Sequence, residues 1–295
     1  MKHRLDITIL LLVIFLLAQF IGIAILYKYI DPVKSTETGK MEFKELPIGE
    51  RPQVNENYSY LPIMIMVLVG TGLMLILIKY HLNWIWKVWF LLAIFLTLMI
   101  SFNAFISLKI ALFLALLLSL WRTFWPNILV QNFTEVFIYG GLAAIFVPAF
   151  NLWSIIILLI LISVYDAYAV WKSKHMITLA QSQAKSKVFA GLLIPYTWKK
   201  KGKEIGKGKE KPAPEAKSGR IALLGGGDIA FPLLFAGVIL KEMGLWQALV
   251  IPFFALLGLA LLLFFSKEKR FYPAMPFISA GCFLGLAVVW VISLF

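Results

Sequence analysis

The chain of 295 residues is 61% hydrophobic and carries a formal net charge of +13, with a mean hydropathy of +0.87. A soluble domain of this size, usually about 45–50% apolar, is excluded. A bilayer's hydrocarbon core is about 30 Å thick, so each spanning helix needs roughly 20 apolar residues, and nine such stretches leave no room for a sizeable soluble domain.

In chain order, apolar length between charged breaks predicts spans at residues 7–30, 60–79, 84–104, 108–125, 128–147, 151–171, 220–240, 244–265 and 272–294. The expected fold is an all-α membrane protein of about nine transmembrane helices. It forms a single membrane domain in three parts: a six-span part (1–171), a basic loop (172–219) and a three-span part (220–295). The first apolar run reads as a retained anchor, because no small-residue cleavage site precedes Asp31. No internal repeat is apparent, and the single cysteine, Cys282, excludes an intrachain disulfide.

Charge predicts the orientation. Between Lys172 and Arg220 stand 13 Lys and Arg against Glu204, Glu210 and Glu215, a net +10 within one loop. With nine spans this loop shares a side with Lys2 and Arg4, Lys79 and Lys87, Arg122, and the cluster Lys267, Lys269 and Arg270, while the acidic segment from Asp31 to Glu56 lies opposite. The positive-inside rule places the N-terminus and the basic loop in the cytoplasm and Phe295 outside. Lysine-rich runs also bind nucleic acid, but this one is threaded with Gly, Pro and Glu between two spans, so contact with anionic lipid is expected and nucleic acid is not. Residues 188–198 (VFAGLLIPYTW) are apolar yet too short to span, and are expected on the membrane surface.

Ionisable groups within a membrane are costly and mark functional candidates. Asp166 stands in the sixth span, Asp228 in the seventh, and Glu135 near the start of the fifth, where Gln131, Asn132 and Thr134 suggest an interfacial position. Counting about 1.5 Å per residue from Lys172 and from Arg220 puts Asp166 and Asp228 roughly 9 and 12 Å inside the same end of consecutive antiparallel helices. Two carboxyls close together in low dielectric share one proton and titrate as a unit, the chemistry by which an aspartic protease activates water against a peptide carbonyl. The same residues also fit a secondary transporter or an ion or proton pathway, in which Glu135 would join them, or a polar pair that merely ties helices together. A zinc protease is disfavoured because His3, His81 and His175 lack metal-ligand spacing, and a Ser–His hydrolase because none of them lies within a span. No cofactor or metal is expected. Gly225, Gly226 and Gly227 before Asp228 remove side chains and weaken the helix at its start, which admits water and close backbone approach.

Tyr165-Asp166 in the sixth span, Gly225-Gly226-Gly227-Asp228 in the seventh, and Pro273-Ala274-Met275-Pro276 opening the ninth resemble the YD, GxGD and PAL motifs of the presenilin and signal peptide peptidase family. The surrounding string LLGGGDIAFPLLFAG and the nine-span layout are similar as well. The resemblance implies a presenilin-like fold and an aspartyl protease that cleaves transmembrane helices within the bilayer, with Asp166 and Asp228 as the catalytic pair. By the same resemblance Tyr165, Gly225, Gly227, Pro273, Ala274 and Met275 border the active site, Met275 standing where the family carries leucine. A cytoplasmic N-terminus is similar to the presenilin branch, the signal peptide peptidases being inverted. Substrates would then be helices whose N-terminus faces outside. Homo-oligomerisation and accessory subunits stay open.

Overall fold

A computed structural model describes residues 5–80, 82–172, 189–195, 221–266 and 272–294. The histidines, most of the basic loop and the cluster at Lys267 to Arg270 lie outside the described residues. Helix is the only open-chain way to satisfy every backbone N–H and C=O in hydrocarbon. The apolar runs accordingly fold as α1 (Leu5–Tyr29), α3 (Tyr60–Lys79), α4 (Asn83–Asn103), α5 (Leu108–Phe124), α6 (Ile128–Phe146), α7 (Leu152–Trp171), α8 (Gly227–Met243), α9 (Leu245–Phe265) and α10 (Met275–Ile292), with a short α2 (Pro32–Thr38) outside the bundle.

Among the described residues seven of these helices are long and apolar enough to cross a membrane. The other two long helices, α5 and α8, have 17 residues each, or about 26 Å of rise. The sequence count of nine is thus an approximate one. The outer faces carry exposed Trp84, Trp89, Phe113, Trp153, Trp246 and Trp290, an apolar girdle that suits lipid rather than water.

Helix α1 lies at the centre, packed against α6, α8 and α9. Contact is close because small residues meet large ones: a Cβ at Gly22 would fall 2.3 Å from Leu233, and one at Gly140 2.3 Å from Ile25. The α9–α10 pair approaches backbone to backbone, where a Cβ on Gly258 or Gly281 would lie 2.2 Å from a carbonyl oxygen of the other helix. Lipid tails are as apolar as leucine, so such dispersion contacts replace the hydrophobic drive of a soluble core.

Residues 31–59 cap the end of the bundle where α1, α4, α6 and α8 finish. Asp31 caps α2 through the N–H groups of Val33 and Lys34, and Arg51 Nε donates to Ala144 O at 3.2 Å. Lys241 Nζ donates to Pro148 O at 3.2 Å and Phe150 O at 2.9 Å, and bridges to Glu56 at 2.9 Å.

The opposite end departs from the predicted pattern. Residues 221–225, expected as the first turns of a span beginning at 220, form strand β2 (Ile221–Gly225), antiparallel to β1 (Gly191–Pro195) with Gly191 opposite Gly225 and Pro195 opposite Ile221. The stretch expected on the membrane surface supplies β1, whose Leu192 and Ile194 are fully buried. Gly225 and Gly226 disfavour extending α8 backwards by about 1 kcal/mol each relative to alanine, and β1 offers β2 the backbone partners that helix would otherwise provide.

Candidate active site

Helix α7 starts at a reciprocal cap, Asn151 accepting from Ser154 N–H at 2.9 Å while Ser154 Oγ accepts from Asn151 N–H at 3.0 Å. Its leucine- and isoleucine-rich run carries Asp166 to within five residues of the far end at Trp171. Asp166 is buried, and its Oδ2 accepts the N–H of Met275 at 3.1 Å, with the Ala274 N–H facing the same carboxylate. Met275 is the first residue of α10, which has no side-chain cap of its own. Asp166 therefore gives that helix, from across the bundle, the acceptor and negative charge that a helix N-terminus lacks. Pro276 follows at a position whose N–H would have no intrahelical partner, so proline costs nothing there. One turn along, Ser163 Oγ donates to Ser279 Oγ at 2.9 Å and ties the same two helices. Pro273, Ala274 and Met275 thus gather around Asp166, while Tyr165 beside it is half-buried.

Asp228 reaches the same region by a different route. The β1–β2 ribbon ends at Gly225, Gly226 caps α8, and Asp228 sits in the first helical turn, where the helix dipole favours an anion. The Gly226 N–H donates to Ala190 O at 3.1 Å, so the ribbon runs directly into the helix start. The Asp228 carboxylate folds back over Gly225, where a Cβ would lie 3.2 Å from Oδ2. Helices α7 and α8 pack together, and the two aspartates stand near enough for their charges to interact. The depth expected for Asp228 assumed helix from Arg220, whereas residues 221–225 are extended and the helix starts only at Gly227. Gln19 of α1 supports this turn by donating Nε2 to Ile229 O at 2.9 Å.

The three glycines have different surroundings. A Cβ on Gly227 would make ordinary contact with Phe231 at 3.4 Å, whereas one on Gly226 would fall 2.8 Å from Tyr139 Oη. The family resemblance set Gly225 and Gly227, but not Gly226, at the border of the site. On the facing strand Gly191 has a φ of +142°, and a Cβ there would lie 2.2 Å from Leu224 O, so only glycine fits at that ribbon position.

Glu135 is buried within the bundle rather than exposed, and is paired with Arg122 of α5, which is itself buried in the last turn of that helix. Its other carboxylate oxygen accepts from Tyr139. Opposite charges within two consecutive apolar spans are the sequence signal for such a pair.

The family model described as signal-peptide peptidase, presenilin aspartyl protease matches residues 32–294. No curated protein matches. Among solved structures, the chain is similar to a presenilin family intramembrane aspartate protease in its C222 crystal form, with a TM-score of 0.62 and 19% identity over 97% of this chain and 99% of the other. A P2 crystal form of a presenilin family intramembrane aspartate protease gives 0.60 and 20% identity, covering 96% of each chain. At such identities the likeness speaks to the fold, whereas the family match extends over all nine long helices but the first. The chain belongs to the signal-peptide peptidase and presenilin aspartyl protease family and is an intramembrane aspartic protease.

Proposed function

We propose that Asp166 and Asp228 are the catalytic pair of an endopeptidase that hydrolyses peptide bonds within the transmembrane helices of its substrates. The observation that carries this reading is that the two intramembrane acids stand on packed helices near enough for their charges to interact, one of them beneath the N-terminus of α10. Together they hold one proton. The ionised carboxylate takes a proton from water as it attacks the carbonyl carbon, and the protonated carboxyl donates to the carbonyl oxygen; the roles then reverse as the amine leaves. The bond that breaks is the C–N bond, and water supplies the hydroxyl and the proton of the two new ends.

Tyr165, Gly225, Gly227, Pro273, Ala274 and Met275 border the reacting pair in this reading. A folded substrate helix hides its carbonyls, so it must unwind before cleavage. The β1–β2 ribbon and Pro273-Ala274 before α10 leave non-helical backbone beside the acids, where an unwound strand is tolerated because protein rather than lipid surrounds it. The basic loop argues for a cytoplasmic N-terminus and an outside C-terminus, hence for substrates whose own N-terminus faces outside.

The test is cleavage of a single-span substrate in detergent by the wild type, Asp166→Asn and Asp228→Asn, with product masses measured. Fragments ending inside the substrate's apolar span from the wild type alone are expected. Equal cleavage by either variant would remove that aspartate from the mechanism.

A further inference from the structure

Arg122 and Glu135 are buried on neighbouring helices, with side chains 3% and 2% exposed. A buried ion pair is a poor way to gain stability, since apolar residues of similar volume serve as well or better. What the pair holds is therefore informative. Besides Arg122 and Tyr139, the Glu135 carboxylate accepts the Gly191 N–H at 2.9 Å. Arg122 donates to Thr134 Oγ1 at 2.9 Å and to Phe189 O at 3.1 Å.

Neighbours on the same helix extend the grip. Gln131 Nε2 donates to Phe189 O at 3.1 Å and Gly191 O at 3.0 Å. Asn132 donates to Leu193 O at 2.8 Å and accepts the Leu193 N–H at 2.9 Å, as a neighbouring strand would. Every partner on the far side is backbone of residues 189–193. That backbone sets the register of β2, and the Ala190 carbonyl holds the Gly226 N–H. Tyr139, whose hydroxyl donates to Glu135, lies beside Gly226, where a Cβ would fall 2.8 Å from its Oη. An unbroken series of contacts thus runs from Arg122 through Glu135 to the turn that presents Asp228.

We propose that Glu135, paired with Arg122, is a positioning residue: it locks the β1–β2 ribbon and Tyr139 in place and so fixes where the Asp228 carboxyl stands. The inference rests on the reading of Asp228 as catalytic. It assigns Glu135 neither a proton nor an ion to carry, unlike the transporter role that the sequence left open.

The experiment uses the full chain in detergent, with kcat, KM and thermal midpoint measured for Arg122→Met/Glu135→Leu, for Tyr139→Phe and for Asp228→Asn. Replacing both charges removes the desolvation cost of the pair but leaves the Gly191 N–H and the Tyr139 hydroxyl without their acceptor, so the midpoint falls while the chain still folds. Loss of the lock lowers kcat by about tenfold to a hundredfold while KM stays within about threefold, because misplacement of a reacting group acts on the chemical step. Tyr139→Phe, which keeps the ring and removes only the hydroxyl, lowers kcat in the same sense with an unchanged midpoint and keeps the test decisive if the double variant does not fold. Wild-type kcat in a folded double variant, or in Tyr139→Phe where the double variant does not fold, would overturn the proposal. Cleavage by Asp228→Asn at the wild-type rate would instead overturn the catalytic assignment beneath it, and the two failures are told apart by which variant retains activity.

Discussion

Asp166 has two roles in the structure, acceptor for the start of α10 and proposed acid or base, and two substitutions separate them. Asparagine keeps an oxygen to accept the Met275 N–H, now 3.1 Å from Oδ2. A hydrogen bond to a charged acceptor contributes about 1.5–3 kcal/mol and a neutral one about 0.5–1.5, so Asp166→Asn costs about 1 kcal/mol of stability. Alanine leaves the buried N–H unpaired, which costs about 1–3 kcal/mol. Catalysis responds on a larger scale, since a positioned acid or base contributes about 10²- to 10⁴-fold, equivalent to about 2.7–5.4 kcal/mol at 1.36 kcal/mol per decade. Asp166→Asn should therefore fold almost as the wild type does while losing at least a hundredfold in kcat, and Asp166→Ala should lose activity and melt earlier. Turnover is read from product masses and peak areas, stability from thermal unfolding in the same detergent. A kcat for Asp166→Asn within tenfold of the wild type would refute the assignment, and identical melting of the two variants would refute the capping role.

A pair sharing one proton works only in its singly ionised state, so kcat against pH should be bell-shaped, falling on the acid side when both carboxyls are protonated and on the alkaline side when both are ionised; a flat profile from pH 4 to 9 would speak against the dyad. Gly226→Ala should lower turnover because its Cβ would meet Tyr139 Oη at 2.8 Å, whereas Gly227→Ala, with its nearest neighbour at 3.4 Å, should stay within about threefold of wild type; the reverse order would refute the packing argument. At the opposite end, Lys241→Met removes two carbonyl bonds from a largely buried ammonium and should cost about 2 kcal/mol in thermal or denaturant unfolding. Glu56→Gln, which weakens only the half-exposed partner, should cost less than about 1 kcal/mol. Equal losses would show that the salt bridge, not the carbonyl bonds, anchors this cap.

The helices were legible because in hydrocarbon apolar length and helix are nearly the same property: every span predicted from residue 7 to 171 and from 244 onward corresponds to a helix. Asp166 and Asp228 stood out because carboxyls are rare and costly at that depth. The ribbon was not legible. Residues 188–198 and 221–225 are apolar, short and far apart in sequence, and nothing local says that they pair. The partners of Glu135 were hidden for a related reason, since its polar neighbours Gln131 and Asn132 give no local sign that they hold the backbone of β1.

The sequence by itself determined the membrane class, the approximate number of helices and the residue types available for chemistry, because these depend on composition and on the length of apolar runs. Tertiary structure decided how the acids meet. It set the N-terminus of α10 over Asp166, replaced the first turns of a predicted helix with a strand, and buried an ion pair to hold that strand. Those arrangements depend on which backbone groups find partners across the bundle, and hydrogen bonds between residues 56 and 109 positions apart leave no periodic trace in the chain.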